Sequence, residues 1–232
     1  MTLDTLRQVT RNRYGLALGA TADDLYTDAM LTSIINQAIR LICQKTFCLY
    51  QAAKSISLVN GTQTYALGTD VLLEDESTFV YTLASTYTRL KPRRQESLLE
   101  QYGPFQSVAA AATLGGFFCH AGYQDNNQRM VTIIPAPNAS GTLKFNAWIY
   151  PTDLSANSDT PELADGDQDI IHTVACWKLA EFDLSRGREG AQGIEVWAKE
   201  AMEGIDSLRA RLMSTMTRPL PRSLREPREL RR

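Results

Sequence analysis

Apolar positions along the chain follow two different periods, and the places where the period changes mark its parts. Leu3, Leu6 and Val9 recur at helical spacing behind Thr2, whose hydroxyl can accept a free backbone N–H of the first turn. A short amphipathic helix is predicted there, ending before Tyr14 and Gly15, and the following GLALGATADD reads as a connector. The next helix, 28–46, starts from a cap on Thr27 or Asp28. Its Leu31, Ile34, Ile35, Ala38, Ile39 and Ile42 form an apolar stripe wide enough to meet two neighbours.

From Ser55 the period becomes two. Ile56 and Leu58 alternate with serines, Asn60-Gly61 supplies residues that accept positive φ, and Thr64, Tyr65 and Leu67 resume the alternation, which predicts a β-hairpin. Phe79 to Leu90, Gly116 to His120, Arg129 to Pro135 and Thr142 to Tyr150 are rich in β-branched and aromatic residues and read as further strands. Asp125-Asn126-Asn127 and Asn138 to Gly141 read as turns, and such short connections predict antiparallel pairing. Ser97 to Tyr102 predicts a helical turn, while the small residues Ala109 to Gly115 suit a loop or a short helix.

Helical spacing then returns. Pro161 and the acidic Glu162, Asp165, Asp167 and Asp169 lead into a helix over 169–186 carrying Ile170, Ile171, Val174, Trp177 and Ala180, with carboxylates opposing the positive end of its dipole. After Gly187 to Gly193 comes a helix over 193–213, with Ile194, Trp197, Ala198, Ala201, Ile205, Leu208 and Leu212 on one face and a length of about 30 Å. Pro219, Pro221 and Pro227 preclude a regular helix beyond it, and Leu220, Leu224 and Leu230 are too few to build a core. This last stretch is expected to need a partner before it orders, and extended it reaches roughly 50 Å. The predicted fold class is α+β: a helical bundle from 1–54 and 152–216, an inserted antiparallel β lobe at 55–151, and an extended C-terminal arm at 217–232.

Composition divides the molecule further. With 232 residues, 44% hydrophobic and 22% charged, the chain can bury one core, or one core and a small satellite. The formal charge of -2 hides an asymmetry, because residues 217–232 hold six Arg against two Glu, so that the arm carries +4 and the body -6. An acidic body does not offer the basic face that nonspecific phosphate binding requires; only the arm supplies one. Cys43, Cys48, Cys119 and Cys176 lack C-x-x-C spacing and read as buried free thiols. Met1 to Thr10 holds Asp4 and Arg7 and no continuous apolar run, and no stretch reaches eighteen apolar residues, so neither a secretion signal nor a membrane span is expected.

Chemistry-bearing patterns resolve mostly into plain ones. Asp165-Gly166-Asp167-Gln168-Asp169 imitates the start of a calcium loop but has Ile170 where that loop needs Gly and Cys176 where it needs a bidentate Glu. Cys119 and His120 are adjacent on a strand and point to opposite faces, which argues against a shared metal. His172 reads as an ordinary helix histidine; with His120 it would be the titrating candidate near neutral pH if the chain were an unfamiliar enzyme. Trp177 and Trp197 are assigned to packing. No phosphate loop, dinucleotide turn, nucleophile elbow or zinc-protease helix is present, and no catalytic residue, cofactor or metal is predicted.

The arm supports three readings: a solvated extension, a nucleic-acid arm, or a peptide laid on another protein. Its arginines are separated by leucines and prolines, which add nothing to phosphate neutralisation but suit an extended peptide with apolar anchors and guanidinium forks. The candidate binding residues are Arg218, Leu220, Arg222, Leu224, Arg225, Arg228, Leu230 and Arg231.

Four landmarks occur in order across most of residues 28–213. A capped helix with Asn36-Gln37-Ala38 at its middle precedes Val59-Asn60-Gly61-Thr62-Gln63-Thr64-Tyr65-Ala66-Leu67 and Asp70-Val71. A strand ending Trp148-Ile149-Tyr150-Pro151 follows, and then Pro161-Glu162-Leu163 introduces the paired long helices. In this order they resemble the head-to-tail adaptor, or connector, proteins of tailed bacteriophages. Gly68 and Ala164 stand where that family commonly has proline. The resemblance implies a non-enzymatic virion structural protein of the neck, between capsid and tail, assembled in the host cytoplasm. It implies a homo-oligomeric ring, a dodecamer, whose arms bind the portal protein and whose distal face receives a tail or nozzle protein. Genomic DNA would pass through its channel without specific binding, and no membrane is involved. The alternatives are a tail-completion or tail hub protein, and a nucleic-acid-binding module using the basic arm.

Overall fold

The computed structural model describes residues 1–15, 26–83, 86–102, 116–123, 128–137, 139–186 and 194–215. In chain order the elements are α1 (Leu3–Tyr14), α2 (Asp28–Thr46), β1 (Tyr50–Leu58), β2 (Thr64–Ala66), β3 (Val71–Glu74), β4 (Val80–Leu83) and β5 (Thr86–Arg89). They continue with β6 (Lys91–Pro92), α3 (Gln95–Tyr102), β7 (Phe117–Tyr123), β8 (Arg129–Ile134), β9 (Gly141–Ile149), α4 (Asp169–Ser185) and α5 (Ile194–Thr215). The chain forms two units, one from Met1–Leu49 together with the chain from Tyr150 through α5, the other from Tyr50–Ile149. Helices and strands thus make a mixed α+β protein.

In the helical unit, α1 starts where Thr2 Oγ1 accepts the Thr5 N–H at 3.3 Å and stops at Gly15, whose φ of 81° only glycine adopts readily. Its buried face is Leu3, Leu6, Arg7 and Thr10, so two polar side chains complete the stripe that Val9 was expected to continue. Thr27 caps α2 through the Met30 N–H at 3.2 Å. All six apolar residues of its predicted stripe are buried, along with Cys43 and Thr46, and the helix packs on α1, α4 and α5. The acidic run falls in a 3₁₀ turn, Asp165–Asp167, and at the first position of α4. Helix α4 is enclosed on most sides by its neighbours. Helix α5 crosses it closely: a Cβ on Gly204 would lie 3.0 Å from Ile170 Cδ1, so glycine permits the approach.

The β unit departs from the sequence reading in four places. The predicted hairpin does not form, because β1 pairs with β9 in one sheet whereas β2 pairs with β8 in another. The tight turn is present, with Gly61 at φ 76° and the Thr62 N–H on Val59 O at 3.1 Å, but it is a corner between sheets. Tyr65 fixes that corner: its hydroxyl meets Val59 O at 3.0 Å, Thr62 O at 2.7 Å and the Val59 N–H at 3.2 Å. Residues 79–90 form two strands, the antiparallel pair β4 and β5. Strand β3 lacks alternation, since Val71, Leu73 and Glu74 are all buried, and was not predicted. Finally, β6 and β7 pair in parallel, because the crossover between them contains α3.

Strand β9 is the spine of the first sheet. Strand β1 occupies one edge along nearly its whole length, while β3 and β4 share the other edge end to end, joined by a 3₁₀ turn, Glu76–Thr78. At that joint Asn146 keeps its backbone satisfied through the Asp75 N–H and Thr78 Oγ1. The second sheet runs β2-β8-β7-β6. Phe79 stacks on Phe118 of the second sheet and Phe145 of the first, at ring separations of 4.3 and 5.0 Å, so the sheets enclose a common aromatic core. The other face of the second sheet is covered by α3, through Leu98 against Cys119 and Ile134.

Candidate interaction surface

The outer face of the first sheet has no such cover among the described residues. Register aligns Ser55, Lys144, Val80 and Arg89 in one row across β1, β9, β4 and β5, and Ser57, Thr142, Thr82 and Tyr87 in the next. Paired residues share a face, so these eight side chains lie on the side away from Phe145 and Leu143. Ser55, Ser57, Lys144, Tyr87 and Arg89 are exposed. The exposed Lys91, Arg93 and Arg94 follow directly after β5, with the Arg93 guanidinium 5.4 Å from the centre of the Phe117 ring. The face offers cations, hydroxyls and one exposed aromatic ring.

Two sheet edges end here as well. Strands β1 and β5 terminate the strand order, so on each the outward backbone groups meet no strand among the described residues. Open edges of this kind accept an added strand. On β1 the edge is interrupted at Ala53, whose φ of 56° turns its N–H to Asn146 Oδ1 at 2.8 Å and shifts the register between Gln51 and Lys54.

Charge is unevenly shared between the units. Residues 1–49 and 150–216 hold eleven Lys and Arg against seventeen Asp and Glu, or -6, whereas residues 50–149 hold seven of each. The acidity of the body therefore belongs to the helical unit alone. In the β unit Lys54 pairs with Asp70, and Arg129 reaches the buried Glu74 at 2.9 Å.

The helical unit is tied together by polar contacts distant in sequence. Arg7 and Arg11 both approach Asp28, at 3.2 and 2.8 Å. Tyr14 and Tyr26 donate to the buried Asp183, each at 2.7 Å. Burial, and then the bond to Asp183, pushes the Tyr14 phenol well above its ordinary range. Arg13 spans three partners: Glu200 at 2.9 Å, the Trp197 ring at 5.4 Å and His172 Nε2 at 2.6 Å. A guanidinium only donates, so Nε2 accepts and the imidazole is neutral with its proton on Nδ1. Burial, reinforced by Arg13, lowers the His172 pKa.

The residues singled out in the sequence fall in different places. The arm residues Arg218, Leu220, Arg222, Leu224, Arg225, Arg228, Leu230 and Arg231 lie outside the described residues, as do the turn at 125–127, the segments 109–115 and 187–193, and residues 16–24 of the connector. Trp177 packs against the helical core, whereas Trp197 is half-buried beneath Arg13. Cys43, Cys119 and Cys176 are buried free thiols and Cys48 is half-buried; burial pushes Cys176 up to about 12. Among the described residues no three His, Cys, Asp or Glu side chains are grouped to hold a metal, and no helix is long and apolar enough to cross a membrane. The basic outer face was missed, because Arg89 and Lys144 come together only through strand pairing.

Compared with known proteins, the chain matches the family model of SU10 adaptor protein over residues 1–223. No curated protein matches it.

Proposed function

The chain belongs to the SU10 adaptor protein family, a phage head-to-tail adaptor family, and on that basis we propose that it is a non-enzymatic ring subunit of the virion neck. The ring, a dodecamer, docks on the portal protein through the C-terminal arms, continues the DNA channel and receives a tail or nozzle protein on its distal face. The observation that carries this reading is the family match over residues 1–223, which takes in both units and the first residues of the arm.

Physical features are consistent with those roles. An arm of alternating arginine, leucine and proline suits an apolar, acid-lined groove on another protein. The acidity concentrated in the helical unit, if turned to the channel, repels phosphates and lets DNA slide. Closed rotation of identical subunits requires head-to-tail contacts between unlike surfaces. The test is deletion of residues 217–232 followed by a pull-down with portal protein. Portal binding should be lost while the far-ultraviolet circular dichroism of the body is kept; undiminished binding refutes the docking role.

One observation favours a second reading. The cationic outer face of the first sheet, with Arg89, Lys144 and Tyr87, suits nucleic-acid contact by the subunit itself, beside the arm. That reading expects salt-sensitive DNA binding by the isolated subunit, weakened by R89A/K144A or by arm deletion. No binding at low salt removes it.

A further inference from the structure

Cys43 and Cys48 stand five residues apart, in no recognised motif. Helix α2 ends there because Phe47 takes φ 54° and returns its N–H to Cys43 O at 2.9 Å. A left-handed cap of this kind folds the chain back, so that the residue after it lies over the last helical turn. Two apolar side chains frequently meet at that position. Here both are cysteines, both free, with Sγ atoms 3.4 Å apart. Cys43 is fully buried and Cys48 half-buried, so a reagent from solvent meets Cys48 first.

We propose that Cys43 and Cys48 are a redox-active pair, closed to an intramolecular disulfide by a small-molecule disulfide. The Cys48 thiolate attacks one sulfur of the reagent, whose S–S bond breaks and releases one thiol, leaving a mixed disulfide on Cys48. Cys43 then loses its proton to solvent and attacks Cys48 Sγ, expelling the second thiol. Two protein thiols are oxidised to one disulfide, and one reagent disulfide is reduced to two thiols. The sulfurs need approach by only about 1.4 Å to reach bonding distance.

The ionisation order fits those steps. Contact with Cys43 lowers the Cys48 thiol, so Cys48 is the first of the two to reach its thiolate. The same contact, with burial, raises Cys43, which makes it the second nucleophile rather than the first. The other two cysteines are placed elsewhere, Cys176 on α4 with its sulfur 3.9 Å from Thr10 O and Cys119 in the β unit. The crosslink spans Phe47 and fixes the left-handed turn that ends α2. In a virion protein made in a reducing cytoplasm and released into an oxidising medium, the pair stays open during assembly and closes afterwards. That timing rests on the adaptor reading; the thiol chemistry does not.

The test uses the purified full chain, equilibrated in mixtures of oxidised and reduced glutathione, quenched by alkylation and read by intact mass and peptide mapping. Two of the four thiols should disappear with the loss of two hydrogens, and one peptide pair should join Cys43 to Cys48. Cys48→Ser should abolish the link, and Cys119→Ser should leave it unchanged. Four persisting thiols, a lasting glutathione adduct on Cys48 without closure, or a link to another cysteine overturns the proposal. If Cys48→Ser does not fold, the wild-type peptide map decides alone.

Discussion

Asp183 is almost inaccessible to water, and its oxygens take the hydroxyls of Tyr14 and Tyr26, side chains 169 and 157 residues away. Asp183→Ala removes the acceptor of two phenols, one buried and one half-buried, and should cost about 2–4 kcal/mol, whereas Tyr26→Phe should cost about 1 kcal/mol. Urea titration of the two variants measures both. His172 makes a pH prediction. Its folded-state pKa lies below the ordinary 6.5 because it is buried and faces Arg13, with only Asp169 opposing. The unfolded chain therefore takes up the proton first. Stability is unaffected above that value, falls as pH drops below it, and levels off once the folded form also protonates. His172→Gln should flatten the urea midpoint over that range. These contacts leave no local signal: Asp183 and His172 look like ordinary helix residues, and their partners are fixed only by how α1 and the chain at Tyr26 lie on α4.

Among the elements, the helices were readable because their signals are local. Thr2 and Thr27 cap the helices they precede, and the six-residue stripe of α2 is buried as its spacing requires. Thr27→Ala should lower stability by about 1 kcal/mol in thermal or urea unfolding. Strands were located better than they were paired. Alternation and Asn60-Gly61 mark two extended segments and a turn, but whether the turn joins neighbours or sends the chain to another sheet depends on residues 129–149, which claim β1 and β2 separately. Strand β3 escaped notice because both its faces are buried, leaving no polar alternation. Tyr65 holds the corner together, so Tyr65→Phe should cost about 1–2 kcal/mol, with the loss confined to the hydroxyl since the ring remains. A cost near zero would mean that the turn closes without it.

At the scale of the whole molecule, the order of elements in the sequence pointed to the adaptor family, and the family match over residues 1–223 agrees. The fold divides the charge of the body into an acidic helical unit and a neutral β unit with a cationic face. That division was hidden because Lys144 and Arg89 lie far apart in the chain and meet only across β4. The arm at 217–232 lies outside the described residues, and what it binds is a matter of partner chemistry that one chain does not contain. If this chain is the subunit that joins the portal to the tail, labelled protein located by electron microscopy in assembled particles should form a ring immediately beneath the portal; label confined to the distal tail, or absent from the particle, would refute that placement.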